Sequence, residues 1–280
     1  AELGATASVF PSDDEVKRFL TLHGRRGDWI ELKADPDCTY EEHDEIDLSK
    51  VEPLIACPSS PGNVVPVKEV AGKPIFQSMI GSSANPGVRD FAIAAMIIDG
   101  KKSQDQVSFD INPSSRQVLE TLTSLGYLSS LIKSGARIHQ AGCNGCIGMG
   151  QAPATGKISL RTNPRNFPGR SGTKEDQVYL CSPETAVASA ITGKITDPRS
   201  LDIPYPKYEE PEKLELVDEL SPPGEGEQEL IMGPNIKPLP AFDRLAEHIE
   251  GPVLLKMGQN ISTDEILPAG AKILPFRSNI

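Results

Sequence analysis

The sequence predicts an α/β fold built on a mainly parallel sheet, and three observations predict it. From about residue 74 onward, strand-like alternation and helix-like periodicity take turns along the chain, the order that builds parallel sheets. Capping residues punctuate that alternation where helices should start and stop. The loops rich in glycine, serine and asparagine follow predicted strands, and parallel sheets bind ligands outside the carboxyl ends of their strands.

Each element has its own signal. Asp13-Asp14-Glu15 precedes Val16, Phe19, Leu20 and Leu22, a short helix opened by acids at its positive end. Pro74–Ser82 reads as a strand. Asn85-Pro86 opens a helix carrying Val88, Phe91, Ile93, Ala95, Met96 and Ile97, because Asn caps a helix and Pro fits its first turn. Gln106–Ile111 alternates as a strand, and Ser114 to Ser134 reads as one long amphipathic helix closed by Gly135. Ala136–Gln140 and Lys157–Thr162 are further strands, and Ser182-Pro183-Glu184 opens a helix that stops at Gly193. Residues 202–240 hold eight prolines and many acids, the composition of an extended linker. Val253–Met257 is strand-like again, and the thirty residues from Gly251 are too few to bury a core of their own.

Composition narrows the function classes. The 280 residues carry a formal net charge of −11 and a pI near 4.9, which argues against the basic stripe of a nucleic-acid surface. A few arginines converging in one pocket would still suffice for an anionic substrate. No apolar run approaches the roughly 20 residues that span a bilayer, and no basic, apolar leader precedes the first elements. The first residue is Ala1 rather than Met, so a processed or truncated start is expected. Five cysteines, an odd and sparse set, suit a reducing compartment better than a disulfide framework; the cytoplasm, or the mitochondrial matrix of a eukaryote, is the expected location.

Three loops carry the chemistry. Gly142-Cys143-Asn144-Gly145-Cys146-Ile147-Gly148-Met149-Gly150 places two thiols three positions apart in a glycine-rich loop, a pattern that ligates a metal centre or, alternatively, packs two structural cysteines. Pro164-Arg165-Asn166-Phe167-Pro168-Gly169-Arg170 sets two guanidinium forks in a stiff turn, suited to carboxylates or simply exposed to solvent. Gly81-Ser82-Ser83-Ala84-Asn85 joins a strand to a helix start, as an anion-binding turn or a tight connection.

Taken together and in order, these loops resemble the aconitase superfamily. Ala1–Pro11 is similar to the end of that family's second domain. Gly81–Asn85 stands in place of its Gly-Ser-Cys-Thr-Asn motif. Cys143–Gly148 is similar to its second cluster motif and Arg165–Arg170 to its arginine motif, while Ser262-Thr263-Asp264 and Phe276-Arg277 resemble the start of its mobile fourth domain. The resemblance implies an aconitase-like three-layer α/β/α domain at residues 51–201, preceded by the tail of another α/β domain at 1–50. A linker at 202–250 and the start of a swivelling domain at 251–280 would follow.

It implies a hydro-lyase that dehydrates and rehydrates a hydroxy-acid on a [4Fe–4S] cluster. The first expectation is citrate and isocitrate; the alternatives are homoaconitate or isopropylmalate, or an inactive fragment without a cluster. Cys143 and Cys146 would ligate the cluster. Ser82, Arg165, Arg170 and Arg277 would bind a tricarboxylate, and Glu2 would hydrogen-bond the hydroxyl or water at the open iron. The implied partners are that small anion and the remainder of the enzyme, with neither nucleic acid nor membrane. The sequence departs from the family at Ser83, where a cluster cysteine is expected, at Pro164, where an asparagine is expected, and in lacking the family's serine base. Cys57, in Ala56-Cys57-Pro58-Ser59-Ser60-Pro61-Gly62, is the candidate for the missing third thiolate; the alternative is a small packed residue.

Overall fold

The computed structural model describes residues 6–85, 87–217, 224–226, 233–234, 240–259 and 261. Its centre is a seven-stranded sheet in the order β2-β1-β7-β6-β3-β4-β5. The strands are β1 (Leu54–Ala56), β2 (Val64–Pro66), β3 (Gln77–Gly81), β4 (Ser108–Asn112), β5 (Arg137–Ile138), β6 (Ile158–Arg161) and β7 (Gln177–Cys181). β5, β4, β3, β6 and β7 run parallel; the β1–β2 hairpin is added antiparallel at the β7 edge. The sequence reading did not anticipate that hairpin. Its strands are three residues each, too short to show a period, and the intervening prolines, serines and glycine read only as a turn.

The helices are α1 (Asp14–Leu22), α2 (Val67–Val70), α3 (Val88–Ile98), α4 (Arg116–Ser124), α5 (Tyr127–Lys133) and α6 (Pro183–Thr192). Local signals set most of their ends. The Asp13 carboxylate accepts from the amides of Glu15 and Val16 to cap α1. The Ser182 hydroxyl caps α6, with Pro183 in its first turn and Gly193 closing it in the left-handed conformation at φ 76°. Three expectations shift. α3 starts at Val88 after Gly87, not at Asn85, whose own φ is 51°. The single long helix from Ser114 divides at Gly126, whose φ of 80° ends α4 and starts α5. Val253–Met257 forms no strand and is solvent-exposed, and among the described residues no strand pairs with it.

α3 packs against α4, α5 and α6, and α6 also packs on β3, where the Ser78 hydroxyl donates to the Ala186 carbonyl at 2.8 Å. α3 is apolar almost all round (Phe91, Ala92, Ile93, Ala94, Ala95, Ile97 and Ile98 are buried) because it is covered on several sides at once. Burying a side chain such as Ile93 or Phe91 stabilises by roughly 1.5–3 kcal/mol. On β3, Gln77 and Met79 alternate with Ser78 and Ile80, and their contacts lie with β6, β4 and the loop after β5. The helices thus follow one set of strand residues and the cysteine loop follows the other.

Connectivity fixes where a ligand belongs. From β3 the chain steps through β4 to β5; it then returns to place β6 on the other side of β3 and continues to β7. The direction of winding reverses between β3 and β6, so a crevice opens outside their carboxyl ends.

Candidate functional site

The crevice is built by three loops, each tied down by a strand-end residue. At the end of β4, buried Asn112 donates from Nδ2 to the carbonyls of Gln140 and Gly142 at 3.1 and 3.0 Å, and its Oδ1 accepts from the Gly145 amide at 3.1 Å. One side chain thereby folds the cysteine loop back onto the sheet. At the end of β6, the Thr162 hydroxyl accepts from the Gly81 amide at 2.9 Å and donates to the Ala84 carbonyl at 3.5 Å, which seats the serine loop.

Glycines then allow the loops to touch. A Cβ on Gly148, whose φ is 91°, would lie 2.3 Å from the Ser171 carbonyl oxygen. A Cβ on Gly145 would lie 1.8 Å from Gln151 Oε1 and 2.6 Å from Asn112 Oδ1. The cysteine loop can close on the arginine loop only where side chains are missing.

The loops bring together Cys143, Cys146, Ser82, Ser83 and Arg170. The two sulfurs are 3.4 Å apart, and the Ser82 hydroxyl donates to Cys143 Sγ at 3.4 Å. Arg170 Nη1 donates to the Cys146 carbonyl at 3.3 Å. The electrostatics divide the pair. Burial pushes the Cys143 thiol up, but hydrogen bonds from Ser82, Ser83 and Cys146 and the Arg170 charge together bring it below the usual thiol range. Burial, with Cys143 beside it, holds Cys146 above that range. Cys143 is therefore the first of the two to ionise.

Behind the pair lies Arg161, which the sequence reading did not single out. Its guanidinium is wholly buried and donates to the Gly145 carbonyl at 2.9 Å, to Gln77 Oε1 at 2.8 Å, to Ser159 Oγ at 3.0 Å and to the Gln151 carbonyl. Burial lowers its pKa to about 10, against the pull of Asp110 and Asp176, so it stays charged at neutral pH. A charged residue inside the otherwise uncharged strand Ile158–Arg161 was the available signal. Asn163, just beyond β6, is also buried, and neither atom of its amide has a partner among the described residues.

Cys57 is not brought to the pair. Among the described residues, no group of three His, Cys, Asp or Glu side chains could hold a metal ion. Cys57 follows β1, packs against the hydrophobic core, and its carbonyl accepts from Asn166 Nδ2 at 2.9 Å. β7 and β6 separate β1 from β3 in the sheet, which is the physical reason. Arg165 lies in the same loop as Arg170. His139, four residues before Cys143, donates from Nε2 to the buried Asp110 Oδ1 at 2.9 Å, on the strand side of the loop. Glu2 and Arg277, with Ser262–Asp264 and Phe276, lie outside the described residues.

The family model for aconitases, described as the aconitase family (aconitate hydratase), matches residues 1–78 and 68–193. The chain belongs to the aconitase family. Among curated members of the aconitase family, it is 42% identical over 201 residues to 3-isopropylmalate dehydratase large subunit 1 of Methanopyrus kandleri, covering 71% of this chain and 47% of that protein. It is 39% identical over 201 residues to large subunit 1 of the Thermotoga maritima enzyme, covering 71% and 48%. It is 37% identical over 199 residues to large subunit 2 of the Archaeoglobus fulgidus enzyme, again covering 71% and 48%. The chain thus spans about half the length of the curated relatives it matches.

Aconitase-family hydro-lyases generally use a [4Fe–4S] cluster, and the donor chemistry here can be tested against it. Two thiols and the Ser82 hydroxyl converge on one opening, and Arg170 would offset the negative charge that deprotonated sulfurs and a cluster would bring. Two thiols are iron–sulfur donors, and among the described residues no third His, Cys, Asp or Glu side chain joins them.

Proposed function

We propose that this chain is the cluster- and carboxylate-binding part of a hydro-lyase acting on a hydroxy-acid of the 3-isopropylmalate class, working with a second, smaller subunit. The observation that carries the reading is Arg170 held against the Cys146 carbonyl: a guanidinium and a thiol pair share one crevice, where a carboxylate and a metal centre can sit side by side. The substrate class and the second subunit are supported by the relatives' names, which print 3-isopropylmalate dehydratase and large subunit. The citrate and isocitrate reading is the second one, and the family model's description favours it.

In this reading Cys143 and Cys146 hold the cluster and the Ser82 hydroxyl donates to the Cys143 sulfur. When bound, the cluster supplies an open iron that acts as a Lewis acid on the substrate hydroxyl. Arg165 and Arg170 grip carboxylates, for which a planar fork is better shaped than an ammonium. The Asn163 amide offers two donors and an acceptor to a ligand's polar groups. The proton acceptor of the dehydration belongs to none of these side chains, so turnover is expected only with the companion part of the enzyme.

The test is ultraviolet absorbance of the unsaturated acid, with anaerobically reconstituted protein and its partner subunit. The expected result is a kcat/KM for 3-isopropylmalate at least about tenfold above that for citrate. Arg170→Lys should lower kcat/KM by about tenfold or more, chiefly through KM. A preference for citrate would install the second reading; no turnover and no binding of either acid would sink both.

A further inference from the structure

The two sulfurs of the cysteine loop stand close enough to bond to each other. Cys143 Sγ and Cys146 Sγ are 3.4 Å apart, so a closing movement of about 1.4 Å brings them to the ~2.0 Å of a sulfur–sulfur bond. The fold imposes that approach. Asn112 holds the loop on either side of Cys143, through the Gly142 carbonyl at 3.0 Å and the Gly145 amide at 3.1 Å. Arg161 grips the Gly145 carbonyl from beneath, and the Cys146 thiol donates to the Cys143 carbonyl at 3.5 Å. Solvent reaches the two unequally: Cys143 is exposed, whereas Cys146 is buried. The other three thiols stand apart. Cys57 and Cys181 pack against the core, and Cys38 is exposed with its sulfur beside the Tyr40 hydroxyl at 3.4 Å.

We propose that Cys143 and Cys146 form a thiol–disulfide exchange site, which small disulfides oxidise to a reversible cross-link while the pair holds no metal. The inference needs only the two sulfurs and is independent of the cluster reading. Cys143, the exposed member, gives up its proton to water and attacks one sulfur of the small disulfide. That disulfide bond breaks, and one small thiol leaves with the bonding pair and takes up a proton. Cys146 lies behind the resulting mixed disulfide and attacks the Cys143 sulfur in turn, and the second small thiol leaves in the same way. Two protein thiols are thereby oxidised by two electrons, and one small disulfide is reduced to two thiols. The cross-linked pair has no thiolate to offer a metal, so oxidation and metal binding exclude each other at this loop. Cys38 is the internal contrast: a small disulfide can cap it, and its neighbour is a phenol, which does not displace the cap.

The experiment treats the metal-free 280-residue chain with oxidised glutathione and reads the products by alkylation and peptide mass spectrometry. The expected product has Cys143 joined to Cys146, reversibly with dithiothreitol, and keeps glutathione on Cys38 but not on Cys143. Cys146→Ser should trap glutathione on Cys143, and Cys143→Ser should leave Cys146 unmodified; capping of Cys38 in both variants shows that the reagent has acted. The equilibrium between dithiol and cross-link, measured against glutathione, should favour the cross-link about tenfold or more in the folded chain over the chain in urea, because the fold supplies the alignment. Glutathione that persists on Cys143 of the unaltered chain would overturn the proposal. So would a cross-link from either cysteine to Cys38, Cys57 or Cys181, or an equilibrium no better in the folded chain than in urea. A chain that cross-links as expected but takes up no iron and sulfide together upholds this inference while the cluster reading fails.

Discussion

Single residues hold this crevice together, and Arg161 shows how. Its guanidinium connects β6, β3 and the cysteine loop through Gln77, Ser159 and the carbonyls of Gly145 and Gln151. It also balances Asp110 and Asp176, whose carboxylates lie nearby in the interior; burial raises the Asp176 pKa, and the arginine charge opposes that rise. Removing a buried cation strands its partners, which typically costs about 3–5 kcal/mol. Arg161→Met is therefore expected to lower stability by about that amount, read as a fall in the urea midpoint at unchanged slope. Arg161→Lys should recover only part of it, since an ammonium cannot span four acceptors in one plane. Equal midpoints for Arg161→Met and the unaltered chain would show that the network is incidental. Asn112 and Gly148 belong to the same group: ordinary residue types in the sequence, whose importance comes from what stands 3 Å or less away.

At the scale of elements, the carboxyl end of β3 is the most constrained junction. Gly81 has φ 113°, and a Cβ there would lie 2.1 Å from the Asn112 carbonyl oxygen, with Phe91 on another side at 2.8 Å. The nearest obstacle is backbone in the adjacent strand, so it cannot rotate away. Gly81→Ala is expected to cost about 2–4 kcal/mol and to loosen the serine loop. Hydrogen exchange should report the latter as faster exchange of the Ser82 amide, which donates to the Asn112 carbonyl at 2.8 Å. Undiminished protection there would count against this account. Capping signals in the sequence gave the ends of α1 and α6 closely because those signals are local. The break between α4 and α5 was missed although Gly126 marks it, because the amphipathic pattern runs on either side of that glycine, whose φ of 80° is a local glycine signal; the start of α3 shifted because Asn85 takes φ 51° and Gly87 precedes the first helical residue.

At the scale of the whole molecule, order is uneven. The seven strands and α2 to α6 lie between Leu54 and Thr192, and the buried hydrophobic residues lie between Ile55 and Ile195. Outside that span, large apolar side chains stand in solvent: Phe10 is 77% exposed and Leu254 91%. The Pro-rich segment after Leu201 lies along the domain, with Tyr205 donating to Glu184 at 2.9 Å and Gln117 bonding the backbone of Glu215 and Val217. Segments with few buried contacts open most easily. Brief tryptic digestion should therefore cut first at exposed sites such as Lys33, Arg244 and Lys256 and leave a resistant fragment containing residues 51–203. First cuts inside the strands, followed by mass spectrometry, would contradict this.

The sequence by itself determined the family, the α/β order, and the loops that carry chemistry, because those depend on motifs and on short-range periodicity. Cys143, Cys146 and Arg170 could be named in advance since each sits in a recognisable loop. Only the tertiary structure decided which loops meet. Strand order puts β7 and β6 between β1 and β3, and Cys57, just after β1, packs against the core rather than joining the thiol pair. The same order sets β6 beside β3 and so brings Arg161 beneath the cysteine loop and the serine loop over the thiols. Strand pairing is a long-range choice, fixed by how the whole core packs, and no window of sequence contains it.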